Sequence, residues 1–102
     1  MQAITPHAPP SFEVTARNTA SDSENKIHDD AEARRYGYAG GLVPGVTLYA
    51  YLTRLALAAY GPAWLERGTA ECAFRRPVYE GERVRCEGFA ESATLQVQAV
   101  RD

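Results

Sequence analysis

The chain has 102 residues, of which 45% are hydrophobic and 24% charged, a composition that indicates one small folded domain and excludes a disordered polypeptide. Its net charge of −2 argues against a general nucleic-acid surface, since the arginine pairs at 34–35 and 75–76 are interleaved with acids. A domain of this size buries only about 60% of its unfolded surface, so a partner subunit would add to a small margin of stability.

Neither the N-terminus nor the longest apolar run indicates a membrane or export function. Residues 1–10 have no basic start followed by an apolar stretch, so we predict a flexible lead-in there and a cytoplasmic protein. Residues 42–64 are apolar, but Pro–Gly at 44–45 and Gly–Pro at 61–62 bracket them. About 15 residues are left for an uninterrupted helix, whereas a membrane span needs roughly 20.

The first predicted elements are a strand, a polar loop and a short helix. Apolar and polar residues alternate over 12–17, which is the period of a half-buried strand. A polar loop follows at 21–25. Either Asp29 or Asp30 could then cap a helix over 30–37 that Gly37 closes.

A long helix is predicted from Val46 to Tyr60. Its side chains are apolar almost all round, which predicts that the rest of the domain wraps it. Its three tyrosines are expected in the core or a dimer interface. The lone charge, Arg54, is expected to reach an acid or a partner chain, because a buried and unpaired guanidinium is costly.

The last third of the chain predicts three antiparallel strands, at 69–76, 82–91 and 94–101, with a turn at 77–82. In each, alternate apolar residues share one face and charged or polar residues the other. Cys72 and Cys86 have no metal-ligand spacing and are predicted to be reduced core residues, with a disulfide between them as the alternative. The simplest packing is an α+β domain in which an antiparallel sheet curls round the long helix.

Three stretches, taken with this order of elements, resemble the MaoC-like (R)-specific enoyl-CoA hydratases of the hotdog fold. Residues 25–30, NKIHDD, are similar to the family's Asn-Pro-x-His-x-Asp, with Lys26 in place of proline. Residues 41–46, GLVPGV, stand where the family has His-Gly-Met before its central helix. Residues 74–84, FRRPVYEGERV, are similar to the family's Phe…Pro-Val…Gly-Asp-x-Val turn.

The resemblance implies a single hotdog domain over 1–102, with an antiparallel sheet wrapped round a long central helix, assembled as a homodimer. It implies a hydratase or dehydratase acting on an enoyl or 3-hydroxyacyl thioester of coenzyme A or an acyl carrier protein. Neither a metal nor a redox cofactor is implied, and neither nucleic acid nor membrane is an expected partner.

The resemblance also implies roles for individual residues. His28 falls on the family's catalytic histidine and would act as general acid and base, a task that suits imidazole near neutral pH. Asn25 would orient the loop and the water. The backbone at Gly45 and Val46, at the start of the long helix, would hold the thioester oxygen as negative charge develops.

The sequence departs from the family at two of these positions. Ser23 stands where the family has its catalytic Asp, and a hydroxyl cannot serve as the resting carboxylate base. We expect Asp22 to supply the carboxylate instead, with Glu24 as the alternative. Pro44 replaces the histidine before the family's glycine.

Other functions stay open at this point. On the alternative interpretation, His28 only packs or caps in a solvated loop, and Gly45 only marks the end of one. The domain would then be a catalytically reduced hotdog protein that binds acyl thioesters or supports assembly. A hotdog thioesterase is a more distant alternative, because it would want a carboxylate on the central helix and 46–60 contains none.

Overall fold

The structure, a computed structural model, describes residues 7–19 and 28–101. Its strands and helices follow one another in the order β1 (Phe12–Thr15), α1 (Asp30–Arg35), α2 (Gly45–Tyr60), α3 (Ala63–Arg67), β2 (Arg83–Glu91) and β3 (Thr94–Arg101). Within these described ranges, no helix is both long and apolar enough to span a bilayer.

The described strands form one antiparallel sheet in the order β1-β2-β3. Phe12 of β1 lies opposite Cys86 of β2, and Cys86 lies opposite Ala99 of β3. The apolar residues that alternate along each strand therefore share one face, as their period of two predicts. The prediction of an α+β domain with an antiparallel sheet is confirmed.

The core lies between this apolar face and α2. Leu55 of α2 and Val84 and Cys86 of β2 are fully buried. Burial raises the pKa of the Cys86 thiol above its ordinary value, and the positive charge of Arg54 offsets part of that rise. The predicted lead-in at 1–10 is described only from His7, and Pro9 within it is buried, close to Gly88.

The sheet covers one side of α2 and leaves another side open. Val46 is 75% exposed, and Ala50 and Ala58, which follow it at helical spacing, are exposed as well. Strands lie about 4.8 Å apart, so three of them make a sheet roughly as wide as one helix. Such a sheet cannot enclose α2, although the apolar character of α2 on every face predicts an enclosed helix.

The strand predicted at 69–76 is absent. These residues have no regular secondary structure and are exposed, and the first main-chain pairing after them is an isolated bridge between Leu42 and Tyr79. Alternation favours a strand only where it pairs with a neighbour, and among the described residues this segment pairs with none. The prediction that Cys72 lies in the core is wrong for the same reason, since Cys72 is exposed, and neither cysteine forms a disulfide.

For Arg54, the predicted pairing with an acid is wrong within the described residues, whereas the predicted contact with a partner chain stays a prediction. Its guanidinium lies 3.9 Å from the centre of the Phe12 ring, and it pairs with no acid of the described residues. The charged group is exposed, so it needs no counter-ion, and the aromatic face of β1 attracts it instead. Helix α3 was not predicted, although Pro62 before it and Gly68 after it are typical of helix ends.

Candidate functional site

Three of the five predicted site residues lie in the described part of the chain: His28, Gly45 and Val46. Asn25 and Asp22 lie outside the described residues, and so do Ser23 and Glu24.

The His28 ring is held by one hydrogen bond. Its Nδ1 lies 2.7 Å from the carbonyl oxygen of Leu42. A carbonyl oxygen can only accept, so Nδ1 must carry the hydrogen and the neutral ring has its free lone pair on Nε2. This tautomer leaves Nε2 available to accept a proton from a bound molecule.

The backbone of His28 crosses the chain at Gly41. A Cβ added to Gly41 would lie 2.3 Å from the His28 carbonyl oxygen, so only glycine permits this crossing. The same carbonyl accepts a hydrogen bond of 2.8 Å from Nδ2 of Asn18. In turn, the Gly41 N–H donates to Oδ1 of Asp30 at 2.7 Å. These contacts fix the start of α1 against the segment that leads into α2.

The two aspartates that follow His28 have different tasks. Asp29 is the N-cap of α1 and accepts a hydrogen bond of 3.0 Å from the Glu32 N–H. Asp30 is the first residue of the helix and holds Gly41. Of the two alternatives for the cap, Asp29 is therefore the residue that fills it. The role of Asp30, like that of Asn18, depends on contacts 11 and 10 residues along the chain and has no local signal.

Gly45 is the first residue of α2, and Pro44 before it offers no side chain to cap the helix. The N–H groups of Gly45 and Val46 meet no acceptor in the described part of the chain, whereas the N–H of Thr47 reaches the Pro44 carbonyl at 3.0 Å. Two free donors and the positive end of a 16-residue helix therefore lie together. A group with partial negative charge would be stabilised there.

His28 and Gly45 line the same cleft, which has a volume of about 280 Å³. Apolar residues make up most of the rest of its wall: Leu42, Val43, Leu48, Phe74, Pro77 and Val78. The Phe74 ring lies against Gly45, since a Cβ added there would be 3.0 Å from a ring carbon. Phe74, Arg75 and Arg76 were not predicted as site residues, because their stretch reads as an ordinary strand and turn.

Hydrogen bonds join the three sequence stretches around this cleft. His28, in the first, bonds to Leu42, in the second. The N–H of Val43 donates to the carbonyl of Val78, in the third, at 2.8 Å, next to the bridge between Leu42 and Tyr79. The described residues contain no group of three side chains suited to hold a metal ion. The cleft thus combines an imidazole, the first residue of a helix at Gly45 and an apolar wall.

The comparisons with known proteins give no family assignment. No protein-family model matches the chain, and no curated protein matches it. The resemblance to the hydratases is therefore carried by the three stretches and their positions.

Proposed function

We propose that the protein is a cytoplasmic, MaoC-like hydratase or dehydratase of the hotdog type. Its substrates would be enoyl or 3-hydroxyacyl thioesters of coenzyme A or an acyl carrier protein, and no metal or redox cofactor would take part. The observation that carries this proposal is the cleft that His28 and Gly45 share, although they come from separate stretches of the sequence.

The base chemistry centres on Nε2 of His28. In hydration, Nε2 accepts a proton from water while the water oxygen bonds to C3 of the enoyl group. The electron pair of the C2=C3 bond moves towards the thioester oxygen, and C2 then takes a proton, so that one water is added in all. The Nδ1–H bond to Leu42 supports this role, since it orients the ring and holds the lone pair on Nε2.

The N-terminus of α2 would stabilise the negative charge that develops on the thioester oxygen. The N–H groups of Gly45 and Val46 would donate to that oxygen, and the helix dipole would add to their effect. The Phe74 ring fills the space that a side chain at Gly45 would take, and so forms the wall beside this backbone. The apolar wall beside it would hold the acyl chain.

Asn25 and Asp22 complete the proposed site. Asn25 would orient the water, and the Asp22 carboxylate would share its protons with His28 in place of the family's Asp, with Glu24 as the alternative donor. If neither carboxylate reaches the cleft, the second candidate function follows, a catalytically reduced protein that binds acyl thioesters. Ser23, at the position of the family's Asp, is the observation that favours it.

Hydration of crotonyl-CoA, followed by the loss of enoyl absorbance, tests this function. We expect turnover by the wild type, and a loss of about 100-fold or more in His28→Ala because general acid–base groups contribute on that order. The matched control is His7→Ala, which removes the other histidine of the chain at an exposed position. A folded wild type without turnover would contradict the hydratase, and equal rates for the wild type and His28→Ala would contradict the role of His28.

A further inference from the structure

Two arginines at the cleft, Arg75 and Arg76, have no counter-ion within the described ranges. Five other arginines do pair with carboxylates: Arg17, Arg35, Arg83, Arg85 and Arg101. Arg75 and Arg76 are exposed, yet both line the cleft beside Phe74. A domain with a net charge of −2 therefore has, at one cleft, two arginines that pair with no carboxylate of the described residues.

The local chain explains why both side chains reach the same place. Successive residues of a straight strand point to opposite faces. Residues 69–76 pair with no described strand, and the chain bends at Arg76 before Pro77. The bend lets the consecutive residues Arg75 and Arg76 line the same cleft. It places Arg75 and Arg76 in the wall of the cleft directly after Phe74, whose ring lies against Gly45 at the start of α2.

Two neighbouring guanidinium groups are well suited to bind a phosphate. Each presents a planar fork of N–H donors that matches a phosphate, and such charge-assisted bonds are stronger than neutral ones. An acyl chain needs only the apolar wall. A cleft with both features fits a molecule that is apolar at one end and carries phosphate at the other.

We propose that Arg75 and Arg76 form a phosphate subsite at the mouth of the cleft and bind the phosphorylated pantetheine arm of the thioester carrier. The inference rests on the proposed function for the identity of that arm. Coenzyme A and a pantetheinylated acyl carrier protein both contain it, so the shared chemistry is the phosphate ester. The acyl group would then point inward, towards His28 and Gly45.

Calorimetric titration tests the subsite without any need for turnover. The probes are coenzyme A, a pantetheinylated acyl carrier protein and the same carrier protein without its pantetheine. The variant is R75Q/R76Q, and the control is R34Q/R35Q, which removes the same charge from α1, outside the cleft. Circular dichroism shows whether each variant is folded.

We expect R75Q/R76Q to weaken the binding of coenzyme A, of the pantetheinylated carrier, or of both by at least ~10-fold, and R34Q/R35Q to leave it unchanged. The probe that is affected identifies the carrier. The subsite is refuted if the wild type binds neither probe or if R75Q/R76Q binds both as the wild type does. It is also refuted if R75Q/R76Q weakens the binding of the carrier protein without pantetheine by the same factor, because the arginines would then bind a protein surface.

The same variants separate this inference from the proposed function. Binding that depends on the arginines, in a protein that never hydrates crotonyl-CoA, would keep the subsite and refute the hydratase. Hydration of crotonyl-CoA by a wild type whose binding of both pantetheine probes is unchanged in R75Q/R76Q would keep the hydratase and refute the subsite.

Discussion

At Gly41 the chain passes so close to the backbone of His28 that a side chain has no room. We expect Gly41→Ala to lower the free energy of unfolding by roughly 1–3 kcal/mol, since an added methyl group must displace the His28 carbonyl or break its bond to Asn18. Urea denaturation measures the change. Gly40→Ala is the matched control, because its Cβ would meet only the Asp30 side chain, at 3.3 Å. Equal losses of unfolding free energy in Gly41→Ala and Gly40→Ala would contradict the close approach of Gly41 to the His28 backbone.

For single residues, the sequence predicts what kind of role a residue has better than it predicts which residues it contacts. His28 and Gly45 were predicted from the resemblance to the hydratases, and both line the cleft. The stacking of Arg54 on Phe12 joins two elements far apart in sequence, which no local pattern can encode. The places of Asn25 and Asp22 stay predictions, because both lie outside the described residues.

The elements that were predicted correctly are those with a strong periodic pattern. Helix α2 and strands β1, β2 and β3 fall within a residue or two of their predicted bounds. The spacing of apolar residues within each of them determines whether the element is a helix or a strand. The segment at 69–76 has the same period as β2 but no neighbouring strand. Pairing depends on distant residues, so alternation alone cannot predict it.

The two cysteines should differ in reactivity because they lie on different elements. Cys72 is exposed at 69–76, whereas Cys86 is buried in β2 with a raised pKa, so its thiolate is disfavoured. We expect iodoacetamide to modify native Cys72 rapidly and Cys86 only after unfolding, as peptide mass spectrometry would show. Cys72→Ser is the control that isolates Cys86. Rapid modification of Cys86 in that folded variant would contradict the packing of β2 on α2.

The raised pKa also gives stability a pH dependence. Below pH 9.0, the ordinary pKa of a thiol, Cys86 is protonated in both the folded and the unfolded chain. Its contribution to the free energy of unfolding is then fully present. As the pH rises above that value, the unfolded chain loses the proton first. We therefore expect the free energy of unfolding to fall at alkaline pH, and to fall less in Cys86→Ala.

For the whole molecule, the open side of α2 supports the proposed homodimer. A small domain that leaves Val46, Ala50 and Ala58 exposed on an apolar helix gains stability when a second copy covers them. We expect light scattering to give twice the 11.2 kDa of one chain, and Ala50→Glu to give the monomer. Ala31→Glu, on exposed α1, should stay dimeric. A monomeric wild type would contradict the dimer.

The proposed activity of the cleft of His28 and Gly45 is the addition of water across an enoyl thioester. Incubation of the wild type with crotonyl-CoA in D₂O, followed by NMR and mass spectrometry of the product, tests it most directly. We predict 3-hydroxybutyryl-CoA with one deuterium at C2, formed by the wild type and lost in His28→Ala. Unchanged crotonyl-CoA, or free coenzyme A released by thioester cleavage, would contradict the claim.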